Sequence, residues 1–202
     1  MSVDKLDFEY IRKLVYNHSA IVLESGKEYL VEARLSPVAR QEGHGTIEKL
    51  TACLRENPFS VLHKKVIEAM TTNETSFFRD LHPFEALRNS IIPELIKKRA
   101  STRKLDIWCA ACSTGQEVYS IALLLKEYFA PLSSWTLRII ASDISGEILR
   151  RAREGIYSQL EISRGLPASL LVKYFQQNGI EWQVKDEIRK MISGEDAKSP
   201  LS

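Results

Sequence analysis

Two carboxylates in the middle of the chain, Glu117 and Asp143, stand where a positively charged ligand could be held. Glu117 falls in the first turn of an expected helix, after the small-residue run Ala110-Ala111-Cys112-Ser113-Thr114-Gly115. Asp143 ends the apolar run Leu137 to Ala141 and its following Ser142. A carboxylate at a strand tip can accept hydrogen bonds from ribose hydroxyls, and small turn residues let the backbone approach a ligand. Only one glycine stands where G-x-G-x-x-G needs three, and Glu117 would repel a pyrophosphate. A nucleoside with a cationic amino or sulfonium group fits better than one with phosphates, which favours S-adenosylmethionine over NAD. A second reading makes Glu117 the partner of Thr114 in a T-x-x-E capping box, and the two roles can coexist.

Other groups in the same run suggest other chemistries. Cys109-x-x-Cys112 raises redox and zinc chemistry. A zinc site needs two further ligands, and no second C-x-x-C or histidine pair is present. A thioredoxin-type motif opens a helix, whereas Cys109 ends an expected strand. The pair reads as small, half-buried turn residues, and no metal is expected. Ser113 sits in a sequence like a nucleophile elbow, with Ala111 for its first glycine. That hydrolase needs its acid and then its histidine after the serine. His18, His44, His63 and His82 all precede Ser113, so the triad order fails.

The elements that must position Glu117 and Asp143 follow from periodicity. Leu105 to Cys109 is a short apolar run suited to a buried parallel strand. Val118, Ile121, Ala122, Leu125 and Tyr128 keep one helix face apolar. Leu137 to Ala141 reads as a second strand. Strand, tight turn, helix and acid-tipped strand make half of a nucleotide-binding unit. Upstream, helices are expected over Asp7–Ser19, Tyr29–Gln41, Thr46–Glu56 and Phe59–Met70, joined by short links as in a compact bundle. Residues 1–80 carry 11 Lys/Arg against 12 Asp/Glu, a net of −1, so any electropositive face is local. Arg34 and Arg40 on the second helix are candidates for docking an acidic partner; a solvated face is the alternative.

Thr71 to Asp80 mixes amides, hydroxyls, paired aromatics and an arginine without a period, as a ligand-orienting loop does. A helix is expected from Pro83, interrupted near Pro93. After Asp143, helices are expected over Ser145–Arg153, ended by Gly155, and Ala168–Gln176, with a hairpin pairing Ile180–Val184 and Ile188–Ile192. Residues 193–202 read as a polar, disordered tail.

Composition is that of an ordinary globular protein, 44% hydrophobic and 27% charged over 202 residues. A formal charge of +2 gives no general reason to expect nucleic acid. No apolar run approaches a membrane span and the N-terminus lacks a signal-peptide core, so the expected location is the cytoplasm.

Three strings in order, NETSFFR at 73–79, AACSTGQEVYSIA at 110–122 and ASDIS at 141–145, resemble the CheR chemotaxis receptor methyltransferases. RGLP at 164–167 and KYF at 173–175 extend the likeness. The resemblance implies an α/β protein: an N-terminal helical receptor-recognition domain over 1–80, then a Rossmann-like methyltransferase domain over 81–192 containing the start of a β-subdomain. It implies S-adenosyl-L-methionine as cofactor and S-adenosyl-L-homocysteine as product, with glutamates of chemoreceptor cytoplasmic helices converted to methyl esters. Carried over by position, Asn73, Thr75 and Arg79 line the cofactor site, with Arg79 near the reacting centre. Glu117 holds the amino group and Asp143 the ribose hydroxyls, while Arg34 and Arg40 dock the receptor. A monomer is implied.

The family continues with further strands and an Arg-Asn-hydrophobic-Tyr segment that do not follow here. The expectation is therefore a truncated enzyme with only two core strands and impaired catalysis. The alternative is an inactive receptor-binding remnant.

Overall fold

Apolar residues spaced three and four apart fold the first part of the chain into α1 (Lys5–Ser19), α2 (Glu28–Gln41), α3 (Ile47–Glu56) and α4 (Val61–Met70). Their buried faces carry Phe8, Ile11 and Val15, then Val31 and Leu35, Leu50 and Leu54, and Val66 and Met70, in one core. Helices this short are marginal alone, so burial at roughly 1.5–3 kcal/mol per large apolar side chain holds them. Asp4 caps α1 by accepting from the Leu6 N–H at 3.0 Å, and Thr46 caps α3 by accepting from the Lys49 N–H at 3.4 Å. Asp7 is buried and charged, which requires partners. It accepts from Thr51 Oγ1 at 2.8 Å and pairs with Arg55 at 2.8 Å.

The guanidinium of Arg34 is engaged within the helical unit. Its Nη1 donates to the carbonyls of Met70 at 2.6 Å and Thr71 at 3.0 Å, and its Nη2 to Thr72 Oγ1 at 3.1 Å. The last carbonyls of a helix lack intrahelical donors, and a guanidinium fork answers them. Arg34 thus caps α4, while Arg40 lies exposed at the end of α2.

In the computed structural model, which describes residues 3–196, contacts divide the chain between Thr72 and Asn73. The expected boundary at residue 80 falls later in the chain than this division. Residues 73–80 go with the second unit, where Phe77 is fully buried against Tyr157 and Phe175.

This second unit begins with α5 (Leu81–Ala86), which runs through a π-helical turn (Leu87–Ile91) into α6 (Ile92–Lys98). Pro93 does not interrupt the helix: it sits in the first turn after the wide π segment, where its missing N–H costs little. Next come β1 (Lys104–Ala110), α7 (Gln116–Tyr128), β2 (Thr136–Asp143) and α8 (Gly146–Glu154). Gly155 closes α8 in the left-handed region, as expected. The small β-subdomain follows: β3 (Ile156–Ser158), α9 (Gln159–Ser163), α10 (Ala168–Tyr174), β4 (Phe175–Asn178) and β5 (Glu181–Val184). Then α11 (Asp186–Arg189) leads to β6 (Ile192–Asp196).

The main sheet is parallel, in the order β1-β2-β6, with α7 and α8 among the elements packed on it. It is an α/β, Rossmann-like arrangement. Cys109 pairs with Ala141 and Ala110 with Ser142, so β1 and β2 end side by side. Two expectations fail here. A third parallel strand forms through residues expected to be pattern-free: Ile139 to Asp143 pair with Ile192 to Asp196. The remainder of the expected tail, 197–202, lies outside the described residues. The expected hairpin is also replaced. β5 pairs antiparallel with β4, across a two-residue turn whose Gly179 has φ +64°, and with β3. Residues 186–189 are helical instead, and α10 ends at Tyr174 so that Phe175 can enter β4.

Candidate functional site

The tips of β1 and β2 and the start of α7 gather the chemistry-bearing residues. The turn between β1 and α7 is tight, and Ala111, Ser113 and Gly115 have φ of 55°, 50° and 96°. Left-handed conformations at non-glycine residues cost energy and cluster at functional sites. Alternation of this kind turns main-chain N–H groups inward, as in anion-binding concavities. Here the protein supplies its own anion: Asp143 Oδ2 accepts from the Ser113 N–H at 2.9 Å. Asp143 Oδ1 accepts from the Ser145 N–H at 3.1 Å. The carboxylate is buried, yet each oxygen has a second lone pair for a further donor.

Glu117 lies at the start of α7 with an exposed side chain. The capping-box reading does not hold. Gly115 is the N-cap residue, no side chain caps this helix, and Thr114 Oγ1 donates to Gln116 Oε1 at 2.7 Å. Glu117 Oε1 instead accepts from the Cys109 thiol at 2.9 Å. Cys109 and Cys112 are both free and buried. Burial and the neighbouring Glu117 carboxylate drive the Cys109 thiol far above its ordinary range, and burial with Asp143 raises Cys112 to about 11. Burial thus favours the protonated thiol at both, so neither stands as a reactive thiolate near pH 7.

The 73–79 loop is fastened to the same turn. Ser113 Oγ donates to the Asn73 carbonyl at 2.9 Å, and the Phe78 N–H donates to Ser120 Oγ at 2.9 Å. Asn73 and Thr75 are partly buried and Arg79 is exposed. Arg79 Nη1 donates to the Glu74 carbonyl at 3.0 Å. Glu74 pairs with Arg164 at 2.8 Å, and that hydrogen bond and charge hold its carboxyl below the usual range. Gly165 approaches the loop so closely that an added Cβ would stand 2.0 Å from the Phe77 carbonyl oxygen.

Asn73, Glu117 and Asp143 are thus linked through one turn, by way of Ser113 and Cys109, and Arg79 is tied to the loop that Asn73 begins. Arg34 and Arg40 belong to the other unit. Sequence reasoning missed the linking residues. Ser113, Ser120 and Gly165 all sat inside quoted motifs, which was the available signal. Trp108, 70% exposed on β1 and donating through Nε1 to Ser142 Oγ at 3.0 Å, carried none beyond strand propensity.

Two carboxylates with spare acceptor positions, beside a turn whose anion-holding N–H is already taken, suit a ligand with hydroxyls and a cation. Among the described residues no group of His, Cys, Asp or Glu is placed to hold a metal. No helix among them is long and apolar enough to cross a membrane.

Comparison with known proteins agrees with the geometry. Residues 73–197 match the family model for the CheR methyltransferase SAM-binding domain, and residues 6–71 match the CheR all-alpha domain. The chain is 39% identical over 196 residues to chemotaxis protein methyltransferase Cher2 of Pseudomonas putida, covering 95% of this chain and 71% of that protein. It is 39% identical over 197 residues to chemotaxis protein methyltransferase 1 of Pseudomonas aeruginosa, with the same coverages. A chemotaxis protein methyltransferase of Borreliella burgdorferi is 34% identical over 196 residues, covering 95% of this chain and 69% of that protein. The cofactor of such a domain is S-adenosyl-L-methionine. The carboxylates at the tip of β2 and the start of α7, the loop fastened beside them and these matches lead to one assignment: the chain belongs to the CheR methyltransferase family.

Proposed function

We propose that this chain methylates glutamate side chains on the cytoplasmic helices of chemoreceptors, leaving glutamate methyl esters and S-adenosylhomocysteine. The supporting observation is that Glu117, at the start of α7, and Asp143, at the tip of β2, flank one turn, the first hydrogen-bonded to Cys109 of β1 and the second to Ser113 of the turn. Relatives named as chemotaxis protein methyltransferases support this reading.

In this reading Glu117 binds the ligand's amino group and Asp143 its ribose hydroxyls. Asn73 and Thr75 line the cofactor site, and Arg79 orients a carboxylate at the reacting centre. Bound S-adenosylmethionine supplies a methyl carbon made electrophilic by its sulfonium. The acceptor needs no strong base, since glutamate with a pKa of about 4.3 is already ionised near neutral pH. The protein's contribution is alignment and exclusion of water, and such positioning supplies roughly 7–11 kcal/mol. Arg40, exposed on α2, and Arg34, half-buried beside the end of α4, contribute to docking an acidic helical surface. The protein acts as a monomer in the cytoplasm.

The test is transfer of labelled methyl from S-adenosylmethionine to a receptor cytoplasmic fragment. Label released as methanol in mild alkali identifies an ester, and Arg79→Ala should abolish its formation. Alkali-stable label, or label unaffected by replacing the receptor glutamates with glutamine, would overturn the assignment.

A further inference from the structure

We infer that Cys109 is a positioning residue, whose buried S–H holds the Glu117 carboxylate in the orientation that receives the ligand's amino group. The inference rests on the role of Glu117 proposed above. Cys109 is 4% exposed and fixed in β1 by pairing with Ala141, whereas Glu117 is an exposed side chain at the start of α7. Sγ of the first donates to Oε1 of the second at 2.9 Å. A long exposed side chain loses rotamer freedom when it grips a ligand, and a contact that orders it beforehand removes part of that cost.

The choice of a thiol has a physical reason. Burial keeps Cys109 protonated through neutral pH, so it remains a donor. An S–H is a weak donor, so it directs the carboxylate while leaving its charge available to a cation. A lysine or arginine at this position would neutralise that charge. The second oxygen, Oε2, is left to face the amino group.

Calorimetry of the whole chain with two probes tests the idea. S-adenosylhomocysteine carries the amino group, and methylthioadenosine shares its nucleoside but lacks the amino-acid part. Cys109→Ala should bind S-adenosylhomocysteine about three- to tenfold more weakly, the scale of ordering one long side chain. Its affinity for methylthioadenosine should change by less than about twofold, since no contact to the nucleoside is lost. Cys109→Ser, which restores a donor, should recover most of the loss. If Cys109→Ala does not fold, Cys109→Val and Cys109→Ser provide the same comparison at similar volume. Equal weakening of both probes, or a serine variant as weak as alanine or valine, would overturn the inference. Glu117→Ala separates the two claims. If it weakens S-adenosylhomocysteine binding while Cys109→Ala does not, only the positioning role fails. If Glu117→Ala binds as wild type, the proposed role of Glu117 fails as well.

Discussion

The main-chain N–H of Ser113 donates to Oδ2 of Asp143 at 2.9 Å, so the acid that ends β2 closes the turn that follows β1. A turn of this shape ordinarily offers its N–H groups to a phosphate. Here the position is occupied by a side chain of the same protein. That contact leaves the Ser113 N–H unavailable to a phosphate.

Asp143→Ala should therefore affect both stability and binding. Two buried N–H groups, of Ser113 and Ser145, lose their acceptor. At about 1–3 kcal/mol for each donor left unmet, the loss should be about 2–6 kcal/mol. Urea denaturation should show a lower midpoint, and calorimetry should show no S-adenosylhomocysteine binding. Asp143→Asn, which keeps an acceptor oxygen, should lie between the alanine variant and wild type in stability.

Gly165→Ala should be among the most damaging single substitutions. Gly165 has φ +91°, and an added Cβ would stand 2.0 Å from the Phe77 carbonyl oxygen. Left-handed strain of about 1–2 kcal/mol adds to an overlap of about 1–3 kcal/mol. Thermal melting should drop by several degrees, and the 73–79 loop should become more susceptible to proteolysis. Substitution at Gly179, where an added Cβ meets nothing within 4 Å, should be milder.

Arg34→Ala should weaken the helical unit without acting through a partner. The three acceptors it serves at the end of α4 would turn to water, at a cost of about 1–2 kcal/mol. Arg40→Ala should leave the melting temperature unchanged. If Arg34→Ala melts as wild type yet loses receptor binding, its capping role is secondary.

Stability should fall as the solution becomes alkaline. Cys112 rises from an ordinary 9.0 to about 11 in the fold, chiefly by burial, and Cys109 is raised further. Between pH 9 and 11 the unfolded chain releases these protons while the folded one keeps them. The thiol contribution is complete below pH 9 and is lost as pH rises towards 11. The slope is about 1.4 kcal/mol per pH unit for each thiol. Tyr119 and Tyr157, also raised by burial, steepen the decline above about pH 10. Urea midpoints across this range check the prediction, and Cys112→Ala should make the decline shallower.

The sequence by itself determined the elements whose residues carry a period. Phe8, Ile11 and Val15 specify α1, and Leu105 to Cys109 specify the strand that leads into the site. The small turn and the acids at 117 and 143 favour a cationic nucleoside on residue type and spacing alone. These are short-range features: a period of 3.6 or 2 is written locally, and so is a turn of small residues.

Only the tertiary structure decided what pairs with what. Ile192-Ser193-Gly194-Glu195-Asp196 has poor strand propensity, yet it forms β6 because β2 offers it a parallel edge. Arg34 looks like any surface arginine until α4 ends within its reach. Glu117 fits a capping box by its spacing from Thr114, yet its Oε1 accepts instead from the thiol of Cys109 on β1. Such partners lie far apart in sequence, and their energies come from burial and hydrogen bonds that exist only after the chain has closed on itself.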